Sequence, residues 1–203
     1  DKTYVGKHLF PSHGGTKDTC IKCHMREGTA EDPDHHFSPQ VADCSGCHTG
    51  ITTLEDIRPS SYTADYDGDS NTTEGLKGEI ETLQEALLVK IKAYTLSIGR
   101  MGITYDASSN PYWFKDADGD GVKDALNGVL DPGEDKNSDG VLDSGEDTAN
   151  YTDFNGKMLR ACYNYQVSIK EPCGFVHNPK YIMELLIDSI QDIGGNVSNY
   201  VRP

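Results

Sequence analysis

Hydrophobic residues recur at helical spacing in three stretches of the chain, residues 73–99, 154–171 and 178–195. In the first stretch the apolar positions stand three or four residues apart. They are Leu76, Ile80, Leu83, Leu87, Ile91 and Tyr94. Gly99 ends this stretch, Pro172 follows the second, and the third opens on a proline and ends on a glycine pair. We therefore predict three helices as the frame of the protein.

Outside these stretches the pattern predicts coil. Strand-like alternation is nearly absent, and Gly, Pro, Ser and Asp interrupt the first 60 residues. Hydrophobic residues make up 35% of the 203-residue chain, which is too little for a large aliphatic core. We expect a mainly α fold with extensive coil, in which bound groups supply order that the side chains cannot.

Two CxxCH motifs, residues 20–24 and 44–48, suggest what those groups are. In c-type haem attachment two thiols bond to the haem vinyl groups, and the adjacent histidine ligates the iron. A four-cysteine zinc site is the alternative, but the histidine that directly follows each pair favours two covalent haems. The predicted attachment residues are Cys20, Cys23, Cys44 and Cys47, with His24 and His48 as proximal iron ligands.

Five further histidines are candidates for the distal side of the irons. A His-x-Phe sequence precedes the first cysteine of each motif by nine to twelve residues, which nominates His8 and His35 as equivalent ligands. His177 precedes the last predicted helix, and His13 and His36 are weaker candidates. Two haems need two of the five, and one near the N-terminus could ligate a haem of a neighbouring subunit.

An acidic segment, residues 116–147, contains eleven Asp or Glu and two Lys, and it contributes −9 of the chain's formal charge of −15. Its oxygen-bearing residues follow calcium-loop spacing twice, with Gly121 and Gly140 at the sixth positions. The predicted ligands are Asp116, Asp118, Asp120 and Asp124, and then Asp135, Asn137, Asp139, Asp143 and Glu146. A solvated acidic linker is the alternative. We interpret the loops as constitutive stitches that neutralise the segment, not as calcium switches.

A third loop, residues 65–74, has similar spacing, but Ser70 stands at its sixth position and its last acid comes early. Its predicted calcium ligands are Asp65, Asp67, Asp69, Asn71 and Glu74. The alternative is that Thr72, Thr73 and Glu74 cap the long helix that follows.

Charge and cysteine content restrict the partners and the location. The negative charge argues against nucleic acid and anionic membranes, and no apolar window is long enough for a membrane span. The chain opens without an apolar signal segment and is read as a mature secreted product, extracellular or at the cell surface, with the periplasm as the alternative. In that environment Cys162 and Cys173 are predicted to form a disulfide.

Four segments, CIKCHM, HHFSPQVADCSGCH, DYDGDSNTTEGLKGEI and RACYNYQVSIKEPCGFVHNPKYIMELLIDSI, resemble the C-terminal portion of multihaem c-type cytochromes from metal-respiring and related anaerobic prokaryotes. The resemblance implies distal haem ligation by His177 and His35, and less firmly by His8. Relatives usually hold four or more haems, whereas this chain has two motifs. Segment 116–147 reads as an insertion into the pattern of the family.

The predicted organisation is a single dihaem domain, residues 1–203. It divides into a haem-attachment region (1–60), an acidic loop and long helix (61–114), the calcium-loop insertion (115–150) and a C-terminal helical region (151–203). We expect an electron carrier with two bis-histidine haems, whose partners are other cytochromes, copies of itself in a filament, or an extracellular acceptor. The alternatives are a haem enzyme with one open axial position, of peroxidase or nitrogen-oxide reductase type, and a calcium-dependent matrix protein with structural haems.

Overall fold

The computed structural model describes residues 23–24, 37–126, 128–130, 135, 137–144 and 146–203. The elements within these ranges are helices joined by long coil segments, together with one two-stranded sheet. In chain order they are α1 (Val41–Cys44), a 3-10 helix (Leu54–Asp56), α2 (Leu76–Ser97), β1 (Ile103–Tyr105), β2 (Trp113–Lys115), α3 (Gly156–Lys170), α4 (Gly174–His177) and α5 (Pro179–Asp192).

The three predicted helices are confirmed as α2, α3 and α5, each lying within its predicted stretch. Gly99 ends α2 with a φ of +71°, and Gly194 ends α5 with a φ of +83°. A left-handed residue at this place turns the chain so that amides beyond the helix bond to its last carbonyls, as Gly195 N does to Ile190 O at 2.8 Å. No helix in the described part of the chain combines the length and apolar character needed to cross a membrane.

The chain divides into two compact units, and the first comprises the described residues up to Gln84, Ser168–Ile187 and Ser198–Pro203. Its buried apolar side chains come largely from the start of α2 and from α5. Leu76, Leu83, Met183 and Leu186 each have 0% exposure. These helices supply the core of the unit because their apolar stripes are wide enough to remove whole side chains from water.

A buried ion pair adds a polar element to this unit. Arg58 Nη1 lies 2.6 Å from Glu79 Oε1, with the two side chains 9% and 0% exposed. The second carboxylate oxygen of Glu79 accepts the amide hydrogens of Tyr66 and Asp67 at 2.8 and 3.0 Å. Both oxygens of this buried carboxylate are therefore partnered, and they hold the acidic loop against the first turn of α2.

The C-terminal tail is attached to the same loop. Val201 N donates to Tyr66 O at 3.3 Å, and Arg202 pairs with Glu184 of α5. A Cβ added at Gly68, where φ is +80°, would lie 2.8 Å from Asn199 O, so this close approach requires glycine.

The second unit comprises Glu85–Val167 and Asp188–Val197. Its strands β1 and β2 pair antiparallel, with Ile103 opposite Lys115 and Tyr105 opposite Trp113. The ring of Tyr165, on α3, meets Tyr105 edge-on at 5.0 Å and Trp113 at 5.6 Å between centroids. This aromatic cluster fills the space between helix and hairpin with large buried surfaces.

The acidic segment begins directly after strand β2, and the residues that follow it return to that strand. Lys115 N donates to Ala149 O at 2.8 Å, and Tyr151 N donates to Trp113 O at 3.0 Å. Since these bonds bring the two ends of the segment together, the loops between them form an excursion from a closed stem.

The predicted disulfide between Cys162 and Cys173 is not formed in the structure, and both thiols are free. Cys162 lies on the buried face of α3 with 1% exposure, and burial raises the pKa of its thiol far above the ordinary value. Cys173 is exposed, in the turn before α4. Cys162 does not pair with Cys173 because it serves as a small apolar core residue whose thiol stays protonated.

Candidate haem and cation sites

The first motif presents the imidazole of His24 in a fixed orientation. Cys23 and His24 have helical backbone conformation. The Nδ1 atom of His24 lies 2.9 Å from the carbonyl oxygen of Phe37, whose own ring stacks on the imidazole at 4.6 Å and an interplanar angle of 16°. Since the carbonyl can only accept, Nδ1 carries the proton and Nε2 keeps its lone pair for a metal.

His177 ends the short helix α4 and is held in a similar way. Its amide donates to Cys173 O at 2.9 Å, and its Nδ1 atom lies 3.2 Å from the Glu171 carboxylate. The side chain is 52% exposed, so the imidazole is accessible. A carboxylate that accepts Nδ1–H again leaves Nε2 as the metal-binding nitrogen, which is the usual second-shell arrangement of ligating histidines.

The two imidazoles lie at the separation expected of ligands to one metal. The ring centroids of His24 and His177 lie 6.2 Å apart, with the rings inclined at 43°. Imidazole–metal bonds are about 2 Å long and a ring centre lies about 1 Å beyond its nitrogen, so two opposed axial rings stand about 6 Å apart. These two residues therefore fit the axial positions of a haem attached at the first motif.

The second motif follows α1 as a tight turn. Cys47 N and His48 N both donate to Cys44 O, at 3.1 and 2.8 Å, which puts both cysteines and the histidine on one turn. Burial raises the pKa of the Cys44 thiol, and the charge of a Cys23 thiolate raises it further. The Cys23 and Cys44 thiols are therefore close enough for their charges to interact.

Some predicted haem residues lie outside the described residues. These are Cys20, His8, His13, His35 and His36. The second axial ligand of the haem bound by His48 therefore stays a prediction. Among the described residues, the clusters that bring at least three potential ligand atoms within 4.8 Å of one another consist of carboxylates, without cysteine.

The three acidic loops share one backbone feature at the sixth position. Ser70, Gly121 and Gly140 have φ values of +77°, +87° and +76°. The amide of each donates to the carboxylate at the first position of its loop, over 2.8 Å to Asp65 Oδ2 and 2.9 Å to Asp135 Oδ2 in the outer two loops. Ser70 therefore adopts the left-handed conformation that glycine supplies in the other loops.

The loop at residues 65–74 differs from the others in burial. Asp67 is 4% exposed, and its Oδ2 atom has no hydrogen-bond donor. Burial, opposed by the Asp69 amide and reinforced by the charge of Glu79, raises the pKa of Asp67 to about 7. Burial also raises the pKa of Glu74, whose Oε1 atom is likewise without a donor. The negative charge of this loop is therefore only partly balanced by hydrogen-bond donors and cations of the protein.

The carboxylates of the other two loops have more partners. Asp116 accepts the amide of Gly121 at 3.1 Å and lies 3.5 Å from Lys92 Nζ. Asp116, Asp118 and Asp120 bring ligand atoms within 4.8 Å of one another. In the last loop the Asn137 amide group donates to Asp139 and Asp143, at 3.0 and 2.9 Å. Apart from the contact with Lys92, these side chains form their hydrogen bonds within their own loops.

Phe37 and Glu171, the residues that orient the two imidazoles, were not predicted from the sequence. Phe37 belongs to the His-x-Phe pattern, which could have indicated an aromatic ring beside a ligating histidine. Glu171 carries no comparable signal, because its function depends on the turn that brings it back to His177. Glu79 was not predicted either, although its place three residues after Leu76 puts a charge on the buried stripe of α2.

Comparison with known proteins gives two relatives. The chain is 28% identical over 190 residues to the C-type polyheme cytochrome OmcC of Geobacter sulfurreducens, an alignment covering 91% of this chain and 21% of OmcC. It is 27% identical over 190 residues to the C-type polyheme cytochrome OmcB from two strains of that organism, covering 91% of this chain and 22% of OmcB. The chain therefore spans about a fifth of the length of these relatives. No family model and no solved structure matches it.

Proposed function

Since these relatives confirm the resemblance to the multihaem c-type cytochromes, we propose that the chain is an electron-transfer protein with two covalently attached haems. Cys20 and Cys23 hold one haem and Cys44 and Cys47 the other. Haem iron supplies a one-electron ferric–ferrous couple when bound. The role of the chain is to fix the iron ligands and to exclude other ligands.

The separation of the His24 and His177 imidazoles carries this proposal. Their centroid separation of 6.2 Å suits two axial ligands of a single iron, and both Nδ1 atoms have acceptors. Two protein nitrogens as iron ligands would leave no open position for a substrate, which favours electron transfer over catalysis at this haem.

Phe37 and Glu171 support the ligands from the second shell. The Phe37 carbonyl and the Glu171 carboxylate each accept an Nδ1–H, which fixes the tautomer and the ring orientation. The Glu171 carboxylate is charged and the Phe37 carbonyl is neutral. His177 is therefore the more electron-rich ligand, and it lowers the reduction potential of the haem that it ligates.

The neighbouring positions of Cys23 and Cys44 support electron exchange between the two haems. We propose His35 or His8 as the second ligand of the haem held by His48, with His13 and His36 as substitutes. A ligand of this group that reached a neighbouring subunit would extend the haem series through a homopolymer. Partners would then be copies of the chain, other cytochromes and an extracellular acceptor.

The acidic loops of residues 116–147 are proposed to bind calcium as constitutive stitches. Gly121 and Gly140 supply the turn that calcium loops need, and both amides orient the first carboxylate of their loops. Such sites suit an extracellular or cell-surface location, where calcium is abundant.

Carbon monoxide binding to the reduced, haem-loaded protein tests the axial assignment. Wild-type protein should carry two covalent haems and keep a low-spin spectrum under carbon monoxide. The variant His177→Ala should expose one iron and bind carbon monoxide at one haem per chain. Val176→Ala, at the adjacent residue, is the matched control and should behave as wild type. Prompt carbon monoxide binding to half of the haem in the wild-type protein would contradict the proposal.

A further inference from the structure

Five carboxylates gather in the loop at residues 65–74 and the adjoining turn of α2. They are Asp65, Asp67, Asp69, Glu74 and Glu79. Arg58 neutralises Glu79, whose two oxygens are occupied by the guanidinium and by two backbone amides. The cluster keeps a strong negative excess after this pairing, since the other four acids share no such contact with the guanidinium.

Asp67 is the group that points to a ligand. Its side chain is buried, its Oδ1 atom accepts the amide of Asp69 at 3.1 Å, and its Oδ2 atom has no donor. Asp67, Asp69 and Glu74 each offer an oxygen within 4.8 Å of the others, and the buried Oε1 atom of Glu74 also lacks a donor. An ionised oxygen removed from water without a partner is costly, and a cation among these oxygens removes the cost.

We propose that residues 65–74 bind one Ca²⁺ through the carboxylates of Asp65, Asp67, Asp69 and Glu74. Hard carboxylate oxygens on a flexible loop suit Ca²⁺, which accepts irregular coordination, better than Mg²⁺, which demands an octahedron and retains its water. The side chain of Asn71 is left out of this ligand set, because its oxygen accepts the amide and hydroxyl hydrogens of Thr73 at 3.1 and 2.9 Å.

The contrast with the loop at Asp116 supports this choice among the acidic loops. There the buried carboxylate, Asp116, lies near Lys92 and accepts the amide of Gly121, so protein groups already share its charge. Asp67 has one amide donor and a small hydrogen-bond contribution from the Thr82 side chain, and no ion pair with it is found among the described groups. The cation is therefore most needed in the loop at residues 65–74.

The bound ion would also secure the C-terminal tail. In this loop the carbonyl oxygen of Tyr66 accepts a hydrogen bond from the amide of Val201, and Gly68 lies close to Asn199. The tail in turn pairs with α5 through Arg202 and Glu184. Calcium binding therefore stabilises the attachment of the tail, and loss of the ion should release it first.

Calcium counting on the chelator-treated, haem-loaded protein tests the proposal. Equilibrium dialysis against Ca²⁺ should show one bound ion fewer per chain in Asp67→Asn than in the wild type. Ca²⁺ should raise the melting temperature of the wild type more than that of the variant. Without Ca²⁺ the Asp67→Asn variant should have a higher melting temperature than the wild type, because it no longer buries an unpaired charge.

Two further variants complete the design. Glu74→Gln should also lose one ion, and it decides the question if Asp67→Asn fails to fold. Glu81→Gln removes an exposed charge from α2, the helix that follows the loop, and should leave the count of bound ions unchanged. Equal ion counts in the wild type, Asp67→Asn and Glu74→Gln would overturn the proposal. The count is independent of haem redox behaviour, so this result does not depend on the proposed electron-transfer function.

Discussion

The segment that carries the second haem motif and the helix that follows His177 are built in opposite ways. No residue described between positions 37 and 56 is buried, although this segment contains Cys44, Cys47 and His48. In α5, by contrast, nine consecutive residues from Ile182 to Ile190 are buried. The helix is held by its own apolar side chains, whereas the motif segment consists of hydrogen-bonded turns without a core. The proposed haems would supply the packing that the motif segment lacks.

Removal of the two thiols of the second motif should have the strongest consequence, because it disrupts the motif segment and leaves the helices intact. In Cys44→Ala/Cys47→Ala the covalent haem content should fall from two to one per chain, because the thioether bonds of the second motif are lost. Helix content, measured by far-UV circular dichroism, should change little, since α2 and α5 do not depend on that motif for their burial.

Cys173→Ser serves as the control for that double variant. Cys173 is an exposed free thiol outside both motifs, so its removal should leave two haems per chain, as counted from the intact mass. Retention of both haems in Cys44→Ala/Cys47→Ala would refute the attachment assignment.

A second variant tests the polar part of the helical frame. Arg58→Met leaves the carboxylate of Glu79 buried without its cation, and breaking such a pair costs about 3–5 kcal/mol. Chemical denaturation of the haem-loaded protein should show this loss. Arg58→Met combined with Glu79→Gln should recover part of it, because the buried charge is then gone. No recovery in the double variant would mean that Arg58 acts through its other contacts.

The apolar part of the frame should respond to a cavity. Leu186→Ala removes a side chain of 0% exposure from α5 and should lower the free energy of unfolding by about 2–5 kcal/mol. Haem content should stay at two per chain. Tyr181→Ala, on the same helix but 49% exposed, should cost much less. Equal losses in the two variants would contradict the assignment of α5 to the core.

The smallest effect concerns the tuning of one haem ligand. Glu171→Gln keeps a hydrogen-bond acceptor for His177 but removes its charge, so the reduction potential of that haem should rise. A tenfold change in relative ligand strength corresponds to about 59 mV for a one-electron couple. Redox titration of both proteins at one pH measures the shift. An unchanged potential would show that Glu171 only orients the ring.

The helices could be predicted from the sequence because their signals are local. Apolar spacing defined α2, α3 and α5, and Gly99 and Gly194 marked two of the ends. The disulfide prediction was wrong, and the apolar spacing within α3 could have indicated why. Cys162 lies with Met158, Ala161 and Tyr165 on one buried helix face, where a core position explains the cysteine.

The site was less predictable because its contacts join distant parts of the chain. The first motif predicted His24 as a ligand and the family resemblance implied His177, but the separation of their rings depends on the turns that carry them. The partnership of Arg58 with Glu79, 21 residues apart, and the missing donor at Asp67 depend on how the loop folds against α2. The spacing of acidic residues predicted the three loops, but it could not show in which loop the carboxylate charges lack protein partners.

Electron paramagnetic resonance of the oxidised Cys44→Ala/Cys47→Ala protein can show whether His24 and His177 ligate the same iron, because that variant should retain the haem of the first motif alone. We expect a low-spin ferric spectrum typical of two imidazole ligands. We also expect conversion to a high-spin spectrum when His177→Ala is added. A high-spin signal before that addition, or an unchanged low-spin signal after it, would contradict the pairing of His24 with His177.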